Sequence, residues 1–287
     1  MTNLKRIRID SDGLLIQNQL GRMKRIILSQ SDIDSIVSNP SKRLMELTGK
    51  HDELSEFFKG DKLDARVDIE LHHVDCLGKP LRIYYGIEPR CNLACTFCGP
   101  RDLHDDLRPA SKEQEEFLIR EIAKTGAFQI QFTGGEIAVR GYDLLERLEL
   151  TRQYGLSVIL STNGVWRCID RKKEFLQALA KFDNVIQTKI SIEGIRQFHD
   201  SVRGQGTYDE AVNTLSRLHQ HGLKPRISTT IFRSSCDLDN LKHLVKLAKE
   251  YSADLQPIPL RPVGRAADLR HEVPTNHQLI EYTMHAT

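Results

Sequence analysis

From Leu81 onward the chain alternates short apolar runs with longer amphipathic stretches, and no other feature limits its fold as much. Six strand-like runs stand at Leu81–Ile87, Phe128–Phe132, Ser157–Ser161, Val185–Ile192, Arg226–Phe232 and Leu255–Leu260. The stretches between them carry helix signals. Ser111-Lys-Glu-Gln114 is a capping box that opens a helix through Phe117, Ile119 and Ile122. Further helices are expected over Tyr142–Tyr154, from about Arg171, over Tyr208–His221 and Leu238–Tyr251, and last over Thr275–His285. Strand followed by helix at this spacing predicts right-handed parallel crossovers and a sheet curling toward a barrel. In such folds the functional site lies at the C-terminal ends of the strands.

Residues 1–80 follow a different pattern. Ile7-Arg-Ile-Asp and Gly13–Asn18 read as short strands around a Ser11-Asp12-Gly13 turn, with helices near Ser31–Val37 and Asp52–Phe58. A small α+β or winged-helix-like module is expected here. The basic residues Lys5, Arg6, Arg8, Arg22, Lys24 and Arg25 would suit nucleic acid. The segment balances 13 basic with 13 acidic residues, so a solvated face is the better reading and no nucleic acid is expected. The net charge of +2 demands no charged partner. The N-terminus has no apolar signal run, and no stretch approaches about 18 apolar residues, so no membrane association is expected. The six cysteines do not form a disulfide framework in a chain of this size, which predicts a cytoplasmic protein.

Three of those cysteines stand within eight residues, Cys91-Asn-Leu-Ala-Cys95-Thr-Phe-Cys98. Three thiolates can hold three irons of a [4Fe–4S] cluster and leave the fourth iron open for chemistry, whereas an electron carrier closes that position with a fourth cysteine. A zinc site is the plainer alternative, with Cys76, His104 or Cys168 as fourth ligand, although this spacing is not the usual pair of C-x2-C knuckles.

The run resembles the signature of the radical S-adenosylmethionine (radical SAM) superfamily, including Phe97 before the last cysteine. The resemblance implies a partial (β/α)6 TIM-like barrel over residues 81–287, with Cys91, Cys95 and Cys98 as cluster ligands. It implies that the open iron chelates the amino and carboxylate groups of S-adenosylmethionine. An electron from the cluster then splits the sulfonium to give a 5′-deoxyadenosyl radical. It also implies an electron donor such as a flavodoxin or ferredoxin. An N-terminal module of this order resembles, weakly, the PqqD-like peptide-recognition domains; the alternative is a structural extension covering the barrel.

Other motifs extend the resemblance. Thr133-Gly134-Gly135-Glu136 follows the second strand and is similar to the Gly-Gly-Glu element that binds the methionine amino group, with Ile137 where the family usually has proline. Ser161-Thr162-Asn163-Gly164 and Ser191-Ile192-Glu193-Gly194 end the third and fourth strands. Asn163, Ser191 and Glu193 are expected to line the cofactor pocket, and Gly164 and Gly194 to turn the chain. His199-Asp200-Ser-Val-Arg203-Gly204 resembles a segment of peptide-modifying members. Arg203 is expected to fork onto the methionine carboxylate, and His199 and Asp200 to order the loop. By analogy, Ile231 would contact adenine. Pro259-Leu-Arg261-Pro-Val-Gly-Arg265 is similar to the stretch that leads into a cysteine-rich SPASM domain, and Arg261 and Arg265 could bind a carboxylate. Cys168 and Cys236 follow the third and fifth strands. Buried structural thiols are the default for them, and some family epimerases use a cysteine there as hydrogen-atom donor.

The expected activity is therefore radical modification of a peptide: cross-linking, cyclisation or epimerisation. The alternatives are a radical SAM enzyme acting on a sugar, nucleoside or cofactor precursor, and a non-catalytic iron–sulfur or zinc protein. The sequence stops soon after the sixth strand without further cysteines, so a truncated product or a single-cluster enzyme is expected.

Overall fold

The computed structural model describes residues 5–10, 13–17, 23–59, 62–63, 65–70, 80–99 and 107–286. The Ser11-Asp12 turn and Arg22, Cys76 and His104 lie outside these residues.

The N-terminal strands are β1 (Arg6–Asp10), β2 (Gly13–Gln17) and β3 (Met23–Ile27). Two helices follow, α1 (Gln30–Ser38) and α2 (Pro40–Leu47), then a 3-10 turn at Asp52–Phe57, a short hairpin of β4 (Phe58–Lys59) and β5 (Lys62–Leu63), and β6 (Arg66–Glu70). The sheet order is β3-β2-β1-β6, antiparallel through the first three strands and parallel between β1 and β6. Both helices start on side-chain caps: Ser29 accepts from the Asp32 amide and Asn39 from the Lys42 amide. Ile33 and Ile36 of α1 and Leu44 and Leu47 of α2 lie at helical spacing and pack with Ile7, Ile9, Leu14 and Phe57 into one apolar core. Burying each such side chain contributes about 1.5–3 kcal/mol. The sequence predicts the first two strands, α1 and a helical turn at Asp52–Phe57; β3, α2, the β4–β5 hairpin and β6 are additions.

The remaining strands form one six-stranded sheet in the order β12-β11-β10-β9-β8-β7. They are β7 (Arg82–Glu88), β8 (Gln129–Gly134), β9 (Ser157–Thr162), β10 (Val185–Ser191), β11 (Pro225–Ile231) and β12 (Asp254–Pro259). Neighbours from β9 to β12 pair in parallel register. The helices between and after the strands are α3 (Lys112–Lys124), α4 (Asp143–Gln153), α5 (Lys172–Leu179), α6 (Arg196–Arg203), α7 (Thr207–Gln220), α8 (Leu238–Glu250) and α9 (Asn276–Ala286). This is the expected α/β partial barrel. The middle strands are buried on both faces, as a parallel sheet covered by helices requires: residues 157–160 of β9 are all buried. In α7, Ala211, Leu215 and Leu218 make the buried stripe. The capping box before α3 forms reciprocally, with the Ser111 amide donating to Gln114 Oε1 at 2.9 Å and the Gln114 amide to Ser111 Oγ at 3.3 Å. The sequence reading did not anticipate α6.

By contacts the chain divides into two units. The first comprises Met1–Ile83, Glu115–Ile130 and Glu149–Ser157, and the second Tyr84–Gln114, Gln131–Leu148 and Val158–Thr287. Within the first, Arg6 and Arg8 are buried over the Phe128 ring and donate to the carbonyls of Ala127 and Gly126. Among the described residues, no helix is long and apolar enough to cross a membrane.

Candidate radical SAM site

The site lies within the second unit, where the loop carrying Cys91, Cys95 and Cys98 follows β7. Backbone bonds from the end of β8 fix the start of that loop: the Gly135 amide donates to Glu88 O at 2.6 Å and the Glu136 amide to Arg90 O at 2.8 Å. This approach explains the two glycines. A Cβ on Gly134, whose φ is +125°, would stand 2.3 Å from Glu88 O, and one on Gly135 would stand 2.2 Å from Arg90 O. Below the loop, Glu88 is buried and paired with Arg90, which holds its carboxyl below the ordinary carboxylate value against the opposing effect of burial.

Glu136 is buried, and its carboxylate accepts from Thr162 Oγ1 (2.6 Å), the Asn163 amide (2.6 Å) and the Ala138 amide (2.9 Å). It thereby locks the end of β9 to the turn after β8. Burial pushes its pKa up, and the three donors resist that rise. Thr162 also accepts from Trp166 Nε1 and the Gly164 amide. Asn163 continues the chain of contacts to the cysteines. Its Nδ2 donates to Asn92 Oδ1 at 2.8 Å and lies 3.8 Å from Cys91 Sγ, while Asn92 Nδ2 donates to Val165 O at 2.6 Å.

On the other side stands Arg203, at the end of α6. Its Nε donates to Glu193 Oε1 at 2.7 Å, its Nη2 lies 2.5 Å from the same oxygen, and its Nη1 points to Cys95 Sγ at 3.8 Å. Glu193 also accepts from the Thr230 amide, which ties β10 to β11. The Arg203 guanidinium lies over the Phe97 ring, 5.1 Å from its centroid. Phe97 packs edge-on against Phe232. The Thr96 amide donates to Val202 O, and the Arg265 amide to Cys98 O, so the loop is held from α6 and from the segment after β12.

The three thiols are free and half-buried. Burial pushes the Cys91 and Cys95 thiols up; Arg203 opposes the rise at Cys95, and the other two thiols add to it at Cys91. Among the described residues, no three His, Cys, Asp or Glu side chains are grouped as ligands of a single metal ion. A zinc ion needs all its ligands on one centre, whereas a cluster takes one sulfur on each iron. Cys168 is exposed, with its thiol 3.2 Å from Ala138 O. Three separate thiols, with an amide and a guanidinium N–H turned toward two of the sulfurs, fit a cluster that spreads negative charge over its ligands.

The other predicted residues are placed as follows. Ser191 ends β10, half-buried and in register with Ser228. Ile231 is buried against Leu241 and Tyr282. Cys236 is half-buried, with its thiol 3.4 Å from Gln278 O. Arg261 is exposed and Arg265 half-buried. His199 accepts the Glu193 amide on Nδ1 at 3.2 Å, and Asp200 accepts the amides of Gly206 and Tyr208 at the start of α7. Burial, reinforced by Arg203, drives His199 down to about 3. Sequence reasoning missed Asn92 and Thr162, the side chains that join the cysteine loop, the Gly-Gly-Glu turn and β9. A polar residue beside a ligand cysteine and a hydroxyl at a strand end were the only signals.

A sheet edge that brings three thiols beside a Gly-Gly-Glu turn defines a class of cluster-binding barrel proteins. The chain belongs to the radical SAM superfamily, whose family model matches residues 86–234. It is 31% identical over 205 residues to mycofactocin maturase MftC of Mycolicibacterium smegmatis, covering 70% of this chain and 50% of that protein. It is 31% identical over 156 residues to Fe-coproporphyrin III synthase of Methanosarcina barkeri, covering 53% of this chain and 37% of that one. The chain spans about half the length, or less, of these curated relatives. Crystal structures of Streptococcus suis SuiB share the fold: with S-adenosylmethionine bound, the TM-score is 0.68 at 18% identity, covering 98% of this chain and 69% of that one. SuiB bound to its precursor peptide SuiA gives the same TM-score.

Proposed function

We propose that the protein is a radical SAM enzyme that modifies a peptide by cross-linking, cyclisation or epimerisation. The family implies the cofactors, a [4Fe–4S] cluster and S-adenosylmethionine. When bound, the cluster supplies one electron to open the sulfonium of S-adenosylmethionine and release a 5′-deoxyadenosyl radical. The observation that carries the reading is the cysteine loop, pinned at both ends by hydrogen bonds from β8, β9 and α6.

Cys91, Cys95 and Cys98 are the cluster ligands. Gly134 and Gly135 let the turn after β8 pass close to Glu88 and Arg90, which sets it beside the cofactor pocket. Glu136, its buried carboxylate taken by three donors, orders the strand ends that frame the site of the methionine ammonium. Asn163, Ser191, Glu193, Phe97 and Ile231 shape the rest of the pocket. Arg203 brings positive charge to it, shared between Glu193 and Cys95. A small acidic redox protein of the flavodoxin or ferredoxin type is the proposed electron donor.

MftC is by name a maturase, and SuiB has been crystallised with a precursor peptide; both support a peptide substrate here. The N-terminal module supplies a surface for one. β3 ends its sheet among the described residues, and Ile27 on it is 79% exposed. An extended peptide can add to such an edge through main-chain hydrogen bonds. The porphyrin-forming relative favours the second reading, a small-molecule substrate.

The test uses the chain, reconstituted anaerobically and supplied with reductant, S-adenosylmethionine and a library of short synthetic peptides. A mass change in one peptide, with 5′-deoxyadenosine formed in step, is expected. Formation of 5′-deoxyadenosine that responds only to a small metabolite would overturn the peptide assignment.

A further inference from the structure

We infer that Arg203, aimed by Glu193, raises the reduction potential of the cluster through Cys95, with Asn163 adding a smaller effect through Cys91. The inference rests on the cluster reading above but concerns electron uptake, not substrate.

The geometry is asymmetric. Cys95 receives a charged donor, with Arg203 Nη1 3.8 Å from its sulfur, and Cys91 receives a neutral amide, with Asn163 Nδ2 at the same distance. Neither side chain is free to turn away. Arg203 is fixed by two contacts to Glu193 Oε1 and by the Phe97 ring beneath it. Glu193 is held in turn by the Thr230 amide, and its own backbone N–H is taken by His199. Asn163 is fixed by Asn92 and by the Val165 amide, which donates to its Oδ1 at 2.8 Å.

Uptake of one electron adds a negative charge that a cluster shares with its sulfur ligands. Hydrogen bonds and positive charge at those sulfurs stabilise the reduced form, and hydrogen bonding to sulfur is among the factors that set cluster potentials. Glu193 offsets part of the Arg203 charge while orienting the fork, which leaves one N–H edge for the sulfur. A buried guanidinium interacts far more strongly with such charge than one in water.

The experiment measures the midpoint potential of the reconstituted chain without S-adenosylmethionine, by dye-mediated dithionite titration followed by electron paramagnetic resonance. Iron is counted in each sample. Arg203→Gln should shift the one-electron equilibrium about tenfold toward the oxidised form, or about 59 mV more negative. Arg203→Lys, which keeps the charge but loses the fork, should shift it less in the same direction. Asn163→Ala should also shift it negatively, by less than Arg203→Gln. Unchanged potentials at full iron loading would overturn the inference. Should Arg203→Gln fail to take up iron, Arg203→Lys and Asn163→Ala decide: a negative shift in both supports it, and no shift overturns it. A reconstituted unmodified protein with no four-iron signal would instead overturn the proposed function.

Discussion

The N-terminal core and the side chains that support the cysteine loop are both buried, yet they are held by opposite chemistry. Ile7, Ile9, Leu14, Ile33, Ile36 and Phe57 fill the first with hydrocarbon. Glu136, Thr162, Asn163, Glu193 and His199 make up the second, joined by directed hydrogen bonds. An apolar core tolerates a change of shape if volume is kept. A buried polar network does not, because each lost partner strands a desolvated group. The N-terminal module is therefore expected to absorb sequence change, and the cysteine face to resist it.

Matched substitutions would break this contrast if it is wrong. Glu136→Ala should have the largest effect, about 3 kcal/mol or more, because it orphans three buried donors. It should also lower iron uptake, so urea denaturation and iron content together check it. Glu136→Gln, nearly isosteric, should still cost about 2 kcal/mol, because an amide cannot accept at both ends. Ile33→Leu, an equally conservative change in the N-terminal core, should cost less than about 1.5 kcal/mol and leave iron content unchanged. Equal costs for these two would refute the contrast.

A pH series sharpens it further. His199 is neutral in the fold at pH values where an unfolded histidine is charged, since burial drives it down to about 3. Between about pH 6.5 and 3 the unfolded chain therefore binds the extra proton, and stability falls as pH falls, by at most about 1.4 kcal/mol per pH unit. His199→Gln should flatten that slope in chemical denaturation between pH 6.5 and 4.5. Ile27→Asp, on the exposed edge of β3, should be smallest in stability, within about 0.5 kcal/mol. It should nonetheless weaken binding of a modified peptide, as titration calorimetry would show.

The barrel was legible because its signals are local. Each strand run and helical stripe declares itself within about ten residues, and the Ser111–Gln114 capping box formed as read. The Gly-Gly turn was legible as a close approach, but its partner was not: the sequence pointed to a ligand, and the fold sets Glu88 O and Arg90 O against the two glycines. β6 was not legible: it pairs with β1 across some sixty residues, and no local pattern carries such a pairing. α6 was hidden for another reason. Its buried residues are His199 and Asp200, and its apolar stripe is the single half-buried pair Phe198 and Val202, too short to mark a helix. The sequence offered Arg203 as a receptor for the methionine carboxylate and gave no sign of a carboxylate within the chain. Folding set Glu193 against it, ten residues back in the chain.

Anaerobic reconstitution followed by product analysis tests the central claim most directly. The protein is expected to bind about four irons per chain and, once reduced, to convert S-adenosylmethionine to 5′-deoxyadenosine. The protein with Cys91, Cys95 and Cys98 all replaced by alanine should do neither. A fully loaded cluster that leaves S-adenosylmethionine intact, or turnover that survives loss of the three cysteines, would contradict it.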